Sequence, residues 1–176
     1  MKILTPDQLD QFFARISETW ELRLPILLPD GTRAIGSPDA GPPALPGGAV
    51  PGKPTAAFFP QQASIFTVCD GALQEPQTLD RPLFIIGFTP QDLACLRFID
   101  RFFADGWRDD IYFRQRQHAV VAGLSGRCGP NGAMIPPAGG DCDLELFFDG
   151  NNWAVIAYST AGSEIIADLP DTASPE

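Results

Sequence analysis

The residues of this chain most able to do redox or metal chemistry are its four cysteines, Cys69, Cys95, Cys128 and Cys142. Thiolate clusters and zinc sites usually draw their ligands from short local runs such as C-x-x-C. None of the four is paired in that way, and wide intervals separate them. The plainest reading is four free thiols in a reducing compartment, some buried as small apolar groups. Cys128 lies in one Gly-rich stretch and Cys142 beyond its end, so they are the pair that could approach each other and bind a cofactor.

That stretch, Gly123-Leu-Ser-Gly-Arg-Cys-Gly-Pro-Asn-Gly132, is the candidate anion site. It follows an apolar run that reads as a buried strand, and α/β folds place ligands at such strand ends. The amides of Gly126 and Gly129, with the Arg127 guanidinium, could hold an anion. The stretch fits neither G-x-x-x-x-G-K-[ST] nor G-x-G-x-x-G, and turns alone also demand glycines. The single histidine, His118, would have to serve any Ser–His–Asp or Cys–His arrangement. It follows the polar run 114–117, which is expected in solvent, and the chain has no G-x-S-x-G elbow. No catalytic residue is assigned, and one histidine makes a mononuclear zinc site improbable. Asp92, Asp100, Asp109 and Asp110 could do acid–base work. Helix capping, and surface pairing of Arg97 and Arg101 with Asp100 or Asp105, account for them as well.

The elements that must position these groups follow from periodicity and caps. Thr5, Pro6 and Gln8 form a capping box with proline at the first helical position. Leu9, Phe12, Phe13 and Ile16 then repeat at helical spacing, and the helix should end near Trp20. Residues 21–28 read as a strand, with Pro25 suggesting an edge. Pro29-Asp30-Gly31 is a turn into a short strand over 32–35. Residues 36–54 form a long Gly/Pro-rich loop. A strand is expected over 64–69, then a polar connection over 71–81.

Pro82 to Phe88 reads as a buried strand. Thr89 caps the next helix, with Pro90 first and Asp92 in its first turn. Leu93, Leu96, Ile99, Phe102 and Phe103 supply its apolar side, Cys95 is expected on a buried helix, and Gly106 closes it. A shorter helix over 109–116 leads to a buried strand over 118–124, which makes a βαβ unit. A second Gly/Pro-rich loop precedes a hairpin of LELFF and WAVIAY around Asp149-Gly150. Residues 159–166 are expected to turn into a final strand. The fold class is α/β, with α+β as the alternative. A single domain is expected over 1–168 and a frayed tail over 169–176.

Twelve basic and 22 acidic residues give a net charge of −10. Such a surface repels polyanions, which argues against nucleic acid as a partner. The N-terminus lacks a secretory pattern and no run reaches the ~18 apolar residues of a membrane span. A cytoplasmic protein with no membrane span is expected.

Several segments together resemble a known family. Lys53-Pro54, Phe58-Phe59-Pro60-Gln61 and Ile65-Phe66 are similar to K-P…F-x-F-P-Q…L-F. Residues 87–100, with Gly87, Pro90, Asp92 and Asp100, resemble G-V-R-P-C-D-L-x-A-L-x-x-x-D. Residues 110–117 resemble D-x-Y-Y-x-x-R-R-E-N, and Gly140 to Leu144 the start of a late hairpin. These are features of the 4Fe-4S dicluster ferredoxin-like proteins that include the ferredoxin-like component of anaerobic sulfite reductase and the beta chain of sulfhydrogenase. The resemblance covers most of the sequence up to about Ile166. It implies electron transfer within hydrogenase or sulfite-reducing complexes, with 4Fe-4S clusters in a C-terminal ferredoxin segment. This chain has no such segment, and Gln91 and a loop with the single Cys128 stand where the family carries more thiolates. The implied function is an accessory or docking subunit that binds no cofactor itself, with the clusters in an iron–sulfur or other redox partner. Two alternatives stand beside it. One is an electron-transfer protein using the dispersed cysteines. The other is a small-anion enzyme acting at residues 123–132.

Overall fold

The computed structural model describes residues 1–45, 54–58, 66–74, 81–106, 108–127 and 132–170. A seven-stranded mixed sheet organises it, with helices on both faces. The strands are β1 (Lys2–Leu4), β2 (Glu21–Leu27), β3 (Arg33–Gly36), β6 (Leu83–Phe88), β7 (Ala119–Ser125), β8 (Leu144–Phe148) and β9 (Trp153–Ala157). Their order is β1-β9-β8-β7-β6-β2-β3, and β2, β6, β7 and β8 run parallel. A separate ribbon pairs β4 (Thr67–Cys69) with β5 (Ala72–Gln74). The chain is therefore α/β, and the expected βαβ unit is β6, two helices and β7.

Helix α1 (Pro6–Thr19) forms where the capping box predicts, and Leu9, Phe12, Phe13 and Ile16 are its buried face. It joins β1 at one side of the sheet to β2, five strand spacings away. Five spacings are ~24 Å, and a 14-residue helix is ~21 Å long. The helix alone therefore carries the chain across the sheet. Its side chains pack on Leu22, Phe84, Val120, Leu146 and Val155. Phe84 is fully buried, with Phe12 and Trp20 rings edge-on to it at 6.4 and 6.3 Å.

The opposite face carries α2 (Pro90–Ala104) and α3 (Asp110–Gln117). Leu93, Leu96 and Tyr112 pack there on Leu83, Ile85, Phe88 and Val121, with Phe58, which follows the 54–57 turn. Asp100 ties the two helices, accepting from the Tyr112 hydroxyl at 2.5 Å and facing Arg116 Nε at 3.4 Å. Arg97 pairs with Asp141 instead of Asp100 or Asp105, because the loop before β8 passes over this end of α2.

Several expectations are corrected. Phe102 is 65% exposed and Cys95 is exposed, because α2 meets the sheet along Leu93 and Leu96 alone of its fully buried apolar residues. Pro25 is not on an edge strand. The β2–β6 ladder ends at Arg23, and beyond it Pro25 faces the bulge at Gly87, where no amide donor is needed. The connection expected over 71–81 begins with β5 instead, because Asp70 and Gly71 both take positive φ (50° and 77°) and close the β4–β5 ribbon. Residues 64 and 65 of the expected strand lie outside the described residues. Ser159 caps a helix, α4 (Thr160–Ile165), by accepting from the Gly162 amide, so no final strand forms. The core reaches past 168, since Leu169 is buried in it. The short strand β1 was not anticipated, because three residues carry no periodicity.

Phe84→Ala should lower unfolding free energy by about 3–5 kcal/mol, read from urea denaturation. A loss under 1 kcal/mol would mean that the face under α1 is not packed as described.

Candidate functional site

The carboxyl ends of the parallel strands bring several candidate residues together. β7 ends at Ser125, and Gly126 and Arg127 follow it. β6 ends at Phe88, and Thr89 caps α2. Asp92 Oδ2 accepts from the Thr89 amide at 3.1 Å and from its hydroxyl at 2.7 Å, while Thr89 Oγ1 accepts from the Asp92 amide. Asp92 thus completes a capping box as well as favouring the helix dipole. Arg127 is 5% exposed. Burial lowers its pKa, the Arg33 charge adds to that, and the Asp92 charge opposes it. Gly126, Arg127, Pro90 and Asp92, drawn from the loop and from the family-like segment, therefore share one region.

The loop itself is closed at its base. The Gly126 amide donates to the Ile135 carbonyl at 3.0 Å, and the Ile135 amide to the Arg127 carbonyl at 2.9 Å. Gly126 has φ 77°, and an added Cβ would fall 2.1 Å from the Phe148 carbonyl oxygen. A glycine is required there by the close approach of the end of β8. The Gly126 amide is engaged within the chain and is not directed at an anion.

The most highly connected side chain was missed in the sequence. Glu145, in β8, is fully buried. Its Oε1 accepts from Ser125 Oγ at 2.5 Å and from the Ala138 amide at 2.7 Å, and its Oε2 accepts from the Tyr158 hydroxyl at 2.8 Å. These bonds fasten residues 132–143 over the part of the sheet that α2 and α3 leave uncovered. The fit is tight: a Cβ on Gly123 would lie 3.2 Å from Ala138 Cβ and 3.3 Å from Cys142 Sγ. Asp143 adds a second fastening, exchanging hydrogen bonds with the Val121 backbone at 2.9 and 3.0 Å. The one sequence signal was a lone acid inside the apolar run LELFF. Alternation assigns it to solvent, whereas the loop covers it.

Cys142 is buried against this seam, and burial pushes its thiol up to about 12. A neutral thiol so placed is a packing group, not a poised ligand. Cys69 lies on the exposed ribbon and Cys95 on the outside of α2. Among the described residues no group of three or more His, Cys, Asp or Glu is placed to hold a metal ion. Cys128 and Gly129 lie outside the described residues, as do Lys53, Phe59 and Pro60. Pro54 is buried at the start of the 54–57 turn. Asp100 is committed to Tyr112 and Arg116, and His118 is exposed at the end of α3. A shallow depression of about 290 Å³ lies under α1, beside Arg15 and Asp168, on the other face of the sheet. No helix among the described residues is long and apolar enough to cross a membrane.

Comparisons with protein-family models, curated proteins and solved structures find no match to this chain.

Glu145→Ala strands the Ser125 hydroxyl and the Ala138 amide in the interior and should cost roughly 2–4 kcal/mol of stability. Denaturant titration measures it, and a change within 0.5 kcal/mol would contradict the fastening role. Thiol labelling with mass mapping should modify Cys69 and Cys95 in the native state and Cys142 only on unfolding. Cys142, Tyr158 (raised to about 12 by burial and by its bond to Glu145) and Tyr112 all ionise at higher pH folded than unfolded. Their contribution is complete below the unfolded values of ~8.5–10. It is lost as pH rises through about 12, so urea midpoints should fall across that window.

Proposed function

We propose that this chain is a non-catalytic accessory or docking subunit of an iron–sulfur redox complex of the hydrogenase or sulfite-reductase type, with the 4Fe-4S clusters held by a partner. The family resemblance supplies the redox context. The observation that carries the docking reading is the β4–β5 ribbon. Val68 and Leu73 are cross-strand partners, and Phe66 lies two residues from Val68 on the same face. The three side chains are 65%, 71% and 56% exposed, respectively. A two-stranded ribbon is marginal alone in water, and an apolar ribbon face is a surface that a partner covers. The ribbon follows directly on the Phe58–Phe66 segment that carries part of the resemblance.

The polar groups at the strand ends support the same reading, because they are occupied in holding the fold. Glu145, Asp92, Asp100 and the Gly126 amide all have partners within the chain. Neither the electron-transfer reading nor the small-anion reading gains a specific observation.

The test is anaerobic affinity purification of the tagged chain from its native cells. An iron-containing protein with thiolate-to-iron absorption should co-purify, and Val68→Glu with Leu73→Glu should abolish its retention while the chain stays folded. Retention unaffected by both substitutions would refute the ribbon as the docking element. Recovery of no iron protein would refute the proposed complex.

A further inference from the structure

We infer that the outer face of α2 is a self-association surface, on which a second copy of this chain packs its own α2 antiparallel. The surface is distinct from the β4–β5 ribbon and does not rest on the proposed redox role. Ala94, Phe98 and Phe102 stand four residues apart and form a single ridge along the helix. Phe98 is 70% exposed and Phe102 65%. Ridges of this i, i+4 type interdigitate when two helices pack. A two-fold axis at Phe98 places the large Phe102 of each copy over the small Ala94 of the other. The same axis sets Asp105 of each copy beside the first turn of the other helix, where the dipole favours a negative charge.

Charge selects this occupant. Residues 90–117 hold five arginines (97, 101, 108, 114 and 116) and five aspartates (92, 100, 105, 109 and 110). The remaining seven basic and 17 acidic residues carry the whole net charge of −10. Two copies repel each other wherever those acidic surfaces meet. The α2–α3 layer is the neutral face, so it is where two such chains approach at least electrostatic cost, and it is also where the aromatic ridge lies. A contact of one helix per copy is small, and the association should be weak, with Kd on the order of 10–100 µM.

Sedimentation equilibrium of the full chain from about 5 to about 500 µM brackets that range. A monomer–dimer equilibrium is expected, weakened at least about tenfold by Phe98→Glu and by Phe102→Glu. Both positions are exposed, so circular dichroism should report an unchanged fold. Phe66→Glu, on the ribbon, should leave the equilibrium as it is. The geometry places the two Cys95 α-carbons about 12–14 Å apart. A short bismaleimide should therefore link Cys95 to Cys95 in a Cys69→Ser, Cys128→Ser chain. A monomer at every concentration would overturn the inference and leave the ridge to a different protein. A dimer indifferent to Phe98→Glu and Phe102→Glu would overturn it equally.

Discussion

The carboxylate of Glu145 is the group on which the other parts of this structure converge. A charge in a sheet interior is tolerated only when its lone pairs are filled by donors. Here a strand residue (Ser125), a loop amide (Ala138) and the Tyr158 hydroxyl fill them. The bonds decide where residues 132–143 lie, and that loop replaces a helix as the cover over β7 and β8. With the loop in place, Gly123 must lack a side chain and Cys142 must be buried. The charge thus specifies one arrangement of a segment whose composition would otherwise permit many.

The same economy holds for described polar groups at the carboxyl ends of the parallel strands. That end of an α/β sheet is where ligands usually bind. In this chain several of its described polar groups are bonded to one another. Asp92 completes the capping box of α2 and the Gly126 amide closes the loop. Exposed apolar side chains lie elsewhere, on the ribbon with Phe66, Val68 and Leu73 and on the α2 ridge with Phe98 and Phe102.

Much of the fold was legible wherever local rules act alone. The Thr5 box and the Thr89 cap located the first residues of both long helices, and the apolar runs read at 82–88 and 118–124 located two strands of the parallel core, β6 and β7. Where a tertiary partner decides the outcome, the sequence misleads. Phe102 has helical spacing yet faces solvent, because the loop and α3 already fill the ground beside Leu96. Ile165 and Ile166 suggest a strand, but the Ser159 cap and the close passage of Gly162 under the Asp143 carbonyl turn the chain into a helix. Glu145 was invisible for the same reason, since its three donors come from residues 7 to 20 positions away. For the site, the sequence located Gly126, Arg127 and Asp92 but not their engagement with Ile135 and Thr89.

A chain that organises contacts and leaves redox chemistry to a partner should hold no cluster when alone. The most direct measurement is therefore the iron content and visible spectrum of the isolated chain purified without oxygen. A folded, colourless protein with no stoichiometric iron is the expected result. Stoichiometric iron with broad thiolate-to-iron absorption, lost on Cys128→Ser or Cys142→Ser, would contradict it and make the chain itself the electron carrier.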